Sequence, residues 1–284
     1  MKRGILFFLT QSAIVLALTI TAQAAVIYTL GGANTAGGTS LGTIDTVTGA
    51  YSVISATLPN GYTYQSLTHN PTPGGTFYTT ANTNSYLYDI SVSGSTTSIG
   101  NTYHNNVFGL AYRTADNTLY AWDGQADNSA TVNQTTGAWT DTGSHKPTSL
   151  PSGGHFAILN DVWYATWTGG EFGSITFFSP AFTQLGTNSL YSEMSLVSDG
   201  TTLYGITGAH ASGGATLYSI NTANGALTTI ASITGGGGAP QYYFGAEVVP
   251  EPSTCALLCI GLGMAVCAWK SPIITISRKT WLIG

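Results

Sequence analysis

A unit of 43 to 45 residues recurs five times along this sequence and leaves few folds open to it. Each unit carries an apolar residue, a short polar stretch and a turn, followed by a strand-prone run. The stretches are Ile44-Asp45-Thr46-Val47-Thr48-Gly49, Ile90-Ser91-Val92-Ser93-Gly94, Val132-Asn133-Gln134-Thr135-Thr136-Gly137, Ile175-Thr176-Phe177-Phe178-Ser179-Pro180 and Ile220-Asn221-Thr222-Ala223-Asn224-Gly225. Their turn positions 49, 94, 137, 180 and 225 lie 45, 43, 43 and 45 residues apart. Asn, Thr and Gly between two β-prone runs signal a hairpin. Each unit therefore predicts a strand, a tight turn and a second strand, the latter at 51–54, 96–99, 139–142, 183–185 or 227–230.

A further hairpin precedes each of these. Its later strand carries Ile27-Tyr28, Phe77-Tyr78, Leu119-Tyr120, Trp163-Tyr164 or Leu203-Tyr204. Its earlier strand carries Ser66-Leu67-Thr68, Gly109-Leu110-Ala111, His155-Phe156-Ala157 or Met194-Ser195-Leu196. Four strands in about 44 residues is the period of a β-propeller blade. The first unit lacks its earlier strand, and Tyr243-Phe244-Gly245-Ala246-Glu247 at the far end echoes Phe108-Gly109-Leu110-Ala111. The expected fold is all-β, a five-bladed propeller of four-stranded blades in which strands from both ends of the chain close one blade. That closure leaves no exposed edge. A two-sheet β-sandwich is the alternative.

Charge removes some partners. Between Ala25 and Val249 only Arg113 and Lys146 are basic, against eleven acidic residues. A body with net charge −9 cannot neutralise a row of phosphates, which excludes nucleic acid and an anionic membrane surface. All three cysteines, Cys255, Cys259 and Cys267, follow this body, so it holds no disulfide. Cys255 and Cys259, four apart on a helix, read as small apolar residues rather than as a metal or lipid site.

The ends read as addresses. Lys2 and Arg3, an apolar stretch at 5–20 and Ala22-Gln23-Ala24 before Ala25 form the n-region, h-region and A-x-A site of a secretory signal peptide. Near the other end, Val249-Pro250-Glu251-Pro252-Ser253-Thr254 precedes an apolar run at 255–269 and then Lys270. The two prolines hold an extended, accessible peptide. The 16 residues at 254–269 span about 24 Å as a helix, close to the thickness of a bilayer core.

That order, with Leu257-Leu258 and Gly261-Leu262-Gly263 in the apolar run, resembles the PEP-CTERM sorting signal of exported Gram-negative proteins. The resemblance covers only about the last 36 residues. It implies an inner-membrane helix, cleavage near Pro250-Glu251-Pro252 by an exosortase-type membrane protease, and a destination at the cell surface or in an exopolysaccharide matrix. The family ends in an Arg cluster, whereas here a single Lys270 is followed by Ser271-Pro272 and twelve more residues. The chain thus divides into a signal peptide at 1–24, the propeller body at 25–248, the sorting signal with its transmembrane helix at 249–270 and an atypical tail at 271–284.

Chemistry-bearing residues are sparse. His69, His104, His145, His155 and His210 have no metal-ligand spacing, although His69, His104 and His155 fall near the inner strands and could line one end of a channel. Asp123-Gly124-Gln125-Ala126-Asp127-Asn128 offers oxygens but departs from the calcium-loop pattern. Asp45, Asn133 and Asn221 match one another at strand ends and read as turn residues. Glu171, Glu193 and Glu247 are too scattered for a glycosidase pair to be assigned from sequence. Trp122, Trp139, Trp163 and Trp167 are core by alternation or a sugar-stacking platform. With no nucleophile elbow, no phosphate loop and no body cysteine, no catalytic residue, metal or cofactor is assigned, and no enzyme activity is expected.

The leading expectation is an exported, non-catalytic surface or matrix protein with the propeller as binding scaffold. A secreted polysaccharide-active hydrolase or lyase and a carbohydrate-binding module remain alternatives, because fold alone does not choose among them. The signal-peptide reading predicts an exported protein beginning at Ala25; mass spectrometry finding Met1 on the exported form would contradict it.

Overall fold

The computed structural model describes residues 25–249 apart from 33–39, 60–61, 72–75, 83, 125–127, 146–154, 177–181, 210, 212–213, 236–239 and 241. Five antiparallel sheets stand around one axis. In blade 1, strands β1 (Val26–Gly32), β2 (Ser40–Asp45) and β3 (Ala50–Ser55) succeed one another. Blade 2 is β4 (Thr68–Asn70), β5 (Thr76–Thr80), β6 (Tyr86–Ser91) and β7 (Thr96–Asn101). Blade 3 is β8 (Val107–Arg113), β9 (Thr118–Asp123), β10 (Asn128–Val132) and β11 (Trp139–His145). Blade 4 is β12 (His155–Leu159), β13 (Val162–Thr166), β14 (Glu171–Ile175) and β15 (Phe182–Thr187). Blade 5 is β16 (Met194–Ser198), β17 (Leu203–Thr207), β18 (Thr216–Ile220) and β19 (Leu227–Ser232).

The chain then returns to blade 1. A two-residue strand, β20 (Thr234–Gly235), pairs parallel with the outer edge of β3, and β21 (Tyr242–Val249) pairs antiparallel with β1. The closing strand is therefore the one anticipated at Tyr243–Glu247, while β20 is an addition that covers part of an outer edge. The fold is the expected five-bladed propeller. The expected membrane helix lies outside the described residues, among which no helix is long and apolar enough to cross a membrane.

One register repeats around the ring. Thr68 pairs with Tyr78, Ala111 with Tyr120, Ala157 with Tyr164, Val197 with Tyr204 and Glu247 with Tyr28. The tyrosines of the second strands thus stand opposite one level of inner-strand residues. The packing is aromatic: Phe172, fully buried, stacks with Tyr164 of the same blade at 5.8 Å and with Tyr191 of the connector to blade 5 at 5.2 Å. Burying each such ring contributes about 1.5–3 kcal/mol.

The turns confirm the residue chemistry read from the repeats. Asp45 Oδ1 accepts the N–H groups of Val47 and Thr48, at 2.9 and 2.7 Å. Asn133 does the same for Thr135 and Thr136, and Asn221 for Ala223. These are turn-closing side chains. The Thr48 N–H, followed by its hydroxyl, lowers the Asp45 carboxyl below the usual carboxylate range.

The glycines described in the turns between third and fourth strands also dock on the outer strand of the preceding blade. Gly137 has φ +71°, and a Cβ there would stand 2.6 Å from the Gly100 carbonyl oxygen of β7. Gly49 meets Ser232 of β19, Gly94 meets Ser55 of β3 and Gly225 meets Gly186 of β15 in the same way. The receiving residue follows a β-bulge, where the pairing skips Ile54, Ile99 or Leu185. The bulge bends the outer strand toward the incoming turn.

Gly137→Ala combines left-handed backbone strain with a clash, an expected loss of about 3 kcal/mol. Gly200→Ala is the control, because Gly200 has φ +86° but nothing within 4 Å; strain alone predicts about 1 kcal/mol. Equal shifts in urea denaturation midpoint would show that the docking contributes nothing.

Candidate functional site

The two rims differ. Where the inner strands end, the connections are tight turns such as 46–49, 92–95, 114–117, 199–202 and 221–225. Where the inner strands begin, longer connectors run from one blade to the next, among them 102–106 and 188–193. Binding residues concentrate on connectors held by a rigid scaffold, so the connector rim and the channel it leads to are the candidate site.

The channel contains a cavity of about 60 Å³ lined by all five inner strands. That is room for a few water molecules. The ring positions Thr68, Ala111, Ala157, Val197 and Glu247 all face it, so among the described lining residues the cavity holds a single carboxylate. The Thr68 hydroxyl donates to Glu247 Oε2 at 3.0 Å, and Thr68 Oγ1 accepts the Tyr112 N–H at 3.0 Å. One chain of hydrogen bonds thus joins blades 1, 2 and 3. Desolvation pushes the Glu247 carboxyl up from 4.5 to about 7, opposed by the Thr68 hydroxyl and the backbone N–H groups of His69 and Val248.

On the connector rim, His104 reaches onto the face of blade 3. Alternation places Leu119, Ala121 and Asp123 on one face of β9, with register partners Val132, Ala130 and Asn128 on β10. Trp139 and Asp141 continue that face on β11. The two alanines leave room for an imidazole. His104 Nδ1 lies 2.5 Å from Asp123 Oδ2, and its ring stacks on Trp139 at 4.0 Å and 21°. Asn128 Nδ2 donates to Asp141 at 2.8 Å. Asn128 Oδ1 and Trp139 Nε1 are buried without a partner.

The other residues singled out in the sequence are dispersed. His69 comes one residue after its ring position Thr68, while His155 precedes Ala157 by two. At about 3.3 Å per residue, the two differ in level by about 10 Å, so the histidines do not line one end of the channel together. Burial lowers the pKa of both, that of His155 to about 4. His210, Asp127 and the side chains of His145 and Glu193 lie outside the described residues. Among the described residues no three His, Cys, Asp or Glu side chains are placed to hold a metal ion.

Glu171 opens β14, two strands out from the inner strand of blade 4, away from Glu247. Trp122, Trp163 and Trp167 are buried and Trp139 is covered by His104, so these four form no exposed stacking row. Val249 ends β21, and Ala25 accepts the Thr46 N–H at 3.2 Å. Ala22, Ala24, Pro250, Glu251, Pro252, Ser253, Thr254 and Lys270 lie outside the described residues.

Residues 248–270 match the family described as the PEP-CTERM protein-sorting motif. No curated protein matches the chain. A structure from a nidogen/laminin complex is similar at TM-score 0.51 and 14% identity, covering 80% of this chain and 86% of that one. A Bacteroides thetaiotaomicron protein of unknown function is similar at TM-score 0.50 and 12% identity, covering 80% of this chain and 65% of that one. At such identities the likeness speaks to the fold alone.

The raised Glu247 carboxyl has a signed consequence. A folded pKa of about 7 against 4.5 means the fold favours the protonated form. Its contribution is complete below pH 4.5 and is lost as pH rises toward 7. The neutral burial of His155 has the opposite sign between 6.5 and about 4, so the test is a difference. Wild type minus Glu247→Gln, followed by urea denaturation, should decline across pH 4.5–7; a flat difference would show that the carboxyl is not desolvated.

Proposed function

We propose that this protein is exported, sorted through its PEP-CTERM motif by an exosortase-type membrane protease, and released as a non-catalytic binding scaffold of the cell surface or exopolysaccharide matrix. The observation that carries the reading is the motif at 248–270, which begins where the closing strand β21 ends. In this reading residues 1–24 leave on export, the helix at 254–269 holds the chain in the inner membrane, and cutting near Glu251 frees the body. An extended peptide flanked by Pro250 and Pro252 enters a protease cleft without disturbing β21.

The binding role is supported by the architecture. Short turns on one rim and connectors on the other give a rigid ring with one face for recognition. The described cavity lining carries one carboxylate, whereas glycoside hydrolysis commonly uses a pair.

Hydrophobicity alone should retain the uncut chain, since each strongly apolar residue contributes about half a kcal/mol at mid-bilayer. Glu251→Ala leaves that run intact and removes the charge between the prolines. In a host with an exosortase, wild type should be released while the variant stays uncut in the membrane fraction. Identical partitioning would mean that the tail is a plain anchor.

A further inference from the structure

We propose that the connector 101–106 presents Tyr103 as a stacking platform for an uncharged oligosaccharide, with the asparagine side chains around it as hydrogen-bonding groups. This rests on the binding-scaffold reading and names the ligand class and the residue that meets it.

The first observation is conformational. Tyr103 is 84% exposed, the most exposed of the large apolar side chains described, and it has φ +61°. A bulky residue in the left-handed region is uncommon and costly. Asn and Gly fill such positions without that penalty. Burial does not offset the cost, because the ring is in solvent.

The second observation is that the connector is braced. The Tyr103 N–H donates to Asn101 Oδ1 at 2.6 Å. Buried Thr102 donates both its N–H and its hydroxyl to the Ser85 carbonyl, each at 2.7 Å. Ser85, itself at φ +60°, bonds through its hydroxyl to Asn105. On the other side His104 is clamped between Asp123 and Trp139. The ring is therefore held out from a segment pinned to two blades.

The third observation is chemical. Asn101 and Asn105 lie two residues to either side of Tyr103, their Oδ1 atoms held by the Tyr103 N–H and the Ser85 hydroxyl, so two amides bracket the segment that carries the ring. A rigid Tyr among Asn and Ser side chains is the composition of adaptable recognition surfaces. The C–H face of a sugar ring suits a π-face, and its hydroxyls suit amides. Charge selects among glycans. Arg113 is on the opposite rim, tied to Asp116 and Asp161, and the body carries two cations against eleven acidic residues. An anionic polysaccharide would be repelled, and an uncharged one would not.

The test uses the full-length protein in detergent with three immobilised probes: dextran, cello-oligosaccharides and alginate. Wild type should bind a neutral probe in preference to alginate. Tyr103→Phe should retain that binding, and Tyr103→Asn should weaken it at least tenfold with a thermal midpoint equal to or above that of wild type. Equal binding by Tyr103→Asn would overturn the site while leaving glycan binding in place. A lowered midpoint for that variant would overturn the left-handed premise. Binding to alginate alone, or to none of the three, would overturn the ligand class; membrane release of Glu251→Ala is a separate readout, so failure of the sorting reading is seen independently.

Discussion

The propeller depends on a joint between neighbouring blades. In each joint observed, a glycine in the left-handed region brings a hairpin turn against the outer strand of the preceding blade, as Gly137 does on Gly100. A β-bulge on the receiving strand provides the bend that meets it. Gly49, Gly94, Gly137 and Gly225 each make this contact, so sheets that share no backbone ladder acquire a fixed spacing and tilt. The tyrosines opposite the inner strands then fall at one level around the ring, which is why Thr68, Ala111, Ala157, Val197 and Glu247 reach the same cavity.

Much of this was legible because joints and repeats use residues with few alternatives. The turn glycines, the turn-closing Asp45, Asn133 and Asn221, and the second-strand tyrosines mark blade positions by type and spacing. The sorting motif was legible for the same reason: proline and an apolar run have local meanings. What escaped is set by three-dimensional context. No residue type announces the bulges at Ile54, Ile99 and Leu185, and β20 is only Thr234–Gly235. The level difference between His69 and His155 depends on register, not spacing. Tyr103 was missed because φ is invisible in a side chain's name; the faint clue was a compact connector crowded with asparagine.

The candidate site separates into two environments, a closed channel and an open rim. In the channel, Glu247 loses water and favours its protonated form. On the rim, His104 Nδ1 and Asp123 Oδ2 lie 2.5 Å apart beside Trp139. The channel is narrow and continuous with the packing of all five blades, which suits a structural role for its hydrogen-bond chain through Thr68 to Tyr112. The rim connectors are themselves tied into the ring, as Tyr191 shows by stacking on Phe172 and donating its hydroxyl to the Gly225 carbonyl.

The position of β21 also sets an order of events during synthesis. Blades 2 to 5 are each made from one contiguous stretch, and local contacts form quickly. Blade 1 is begun by β1 near the start of the chain and waits for a strand near its end. While it waits, the inner edge of β1 has unpaired backbone groups, the kind of edge that pairs with other chains. A ribosome that has made four complete blades has therefore not yet made a stable ring. The first blade to emerge is the last to finish, and until Tyr242–Val249 arrives the newborn chain has reason to be shielded from its neighbours.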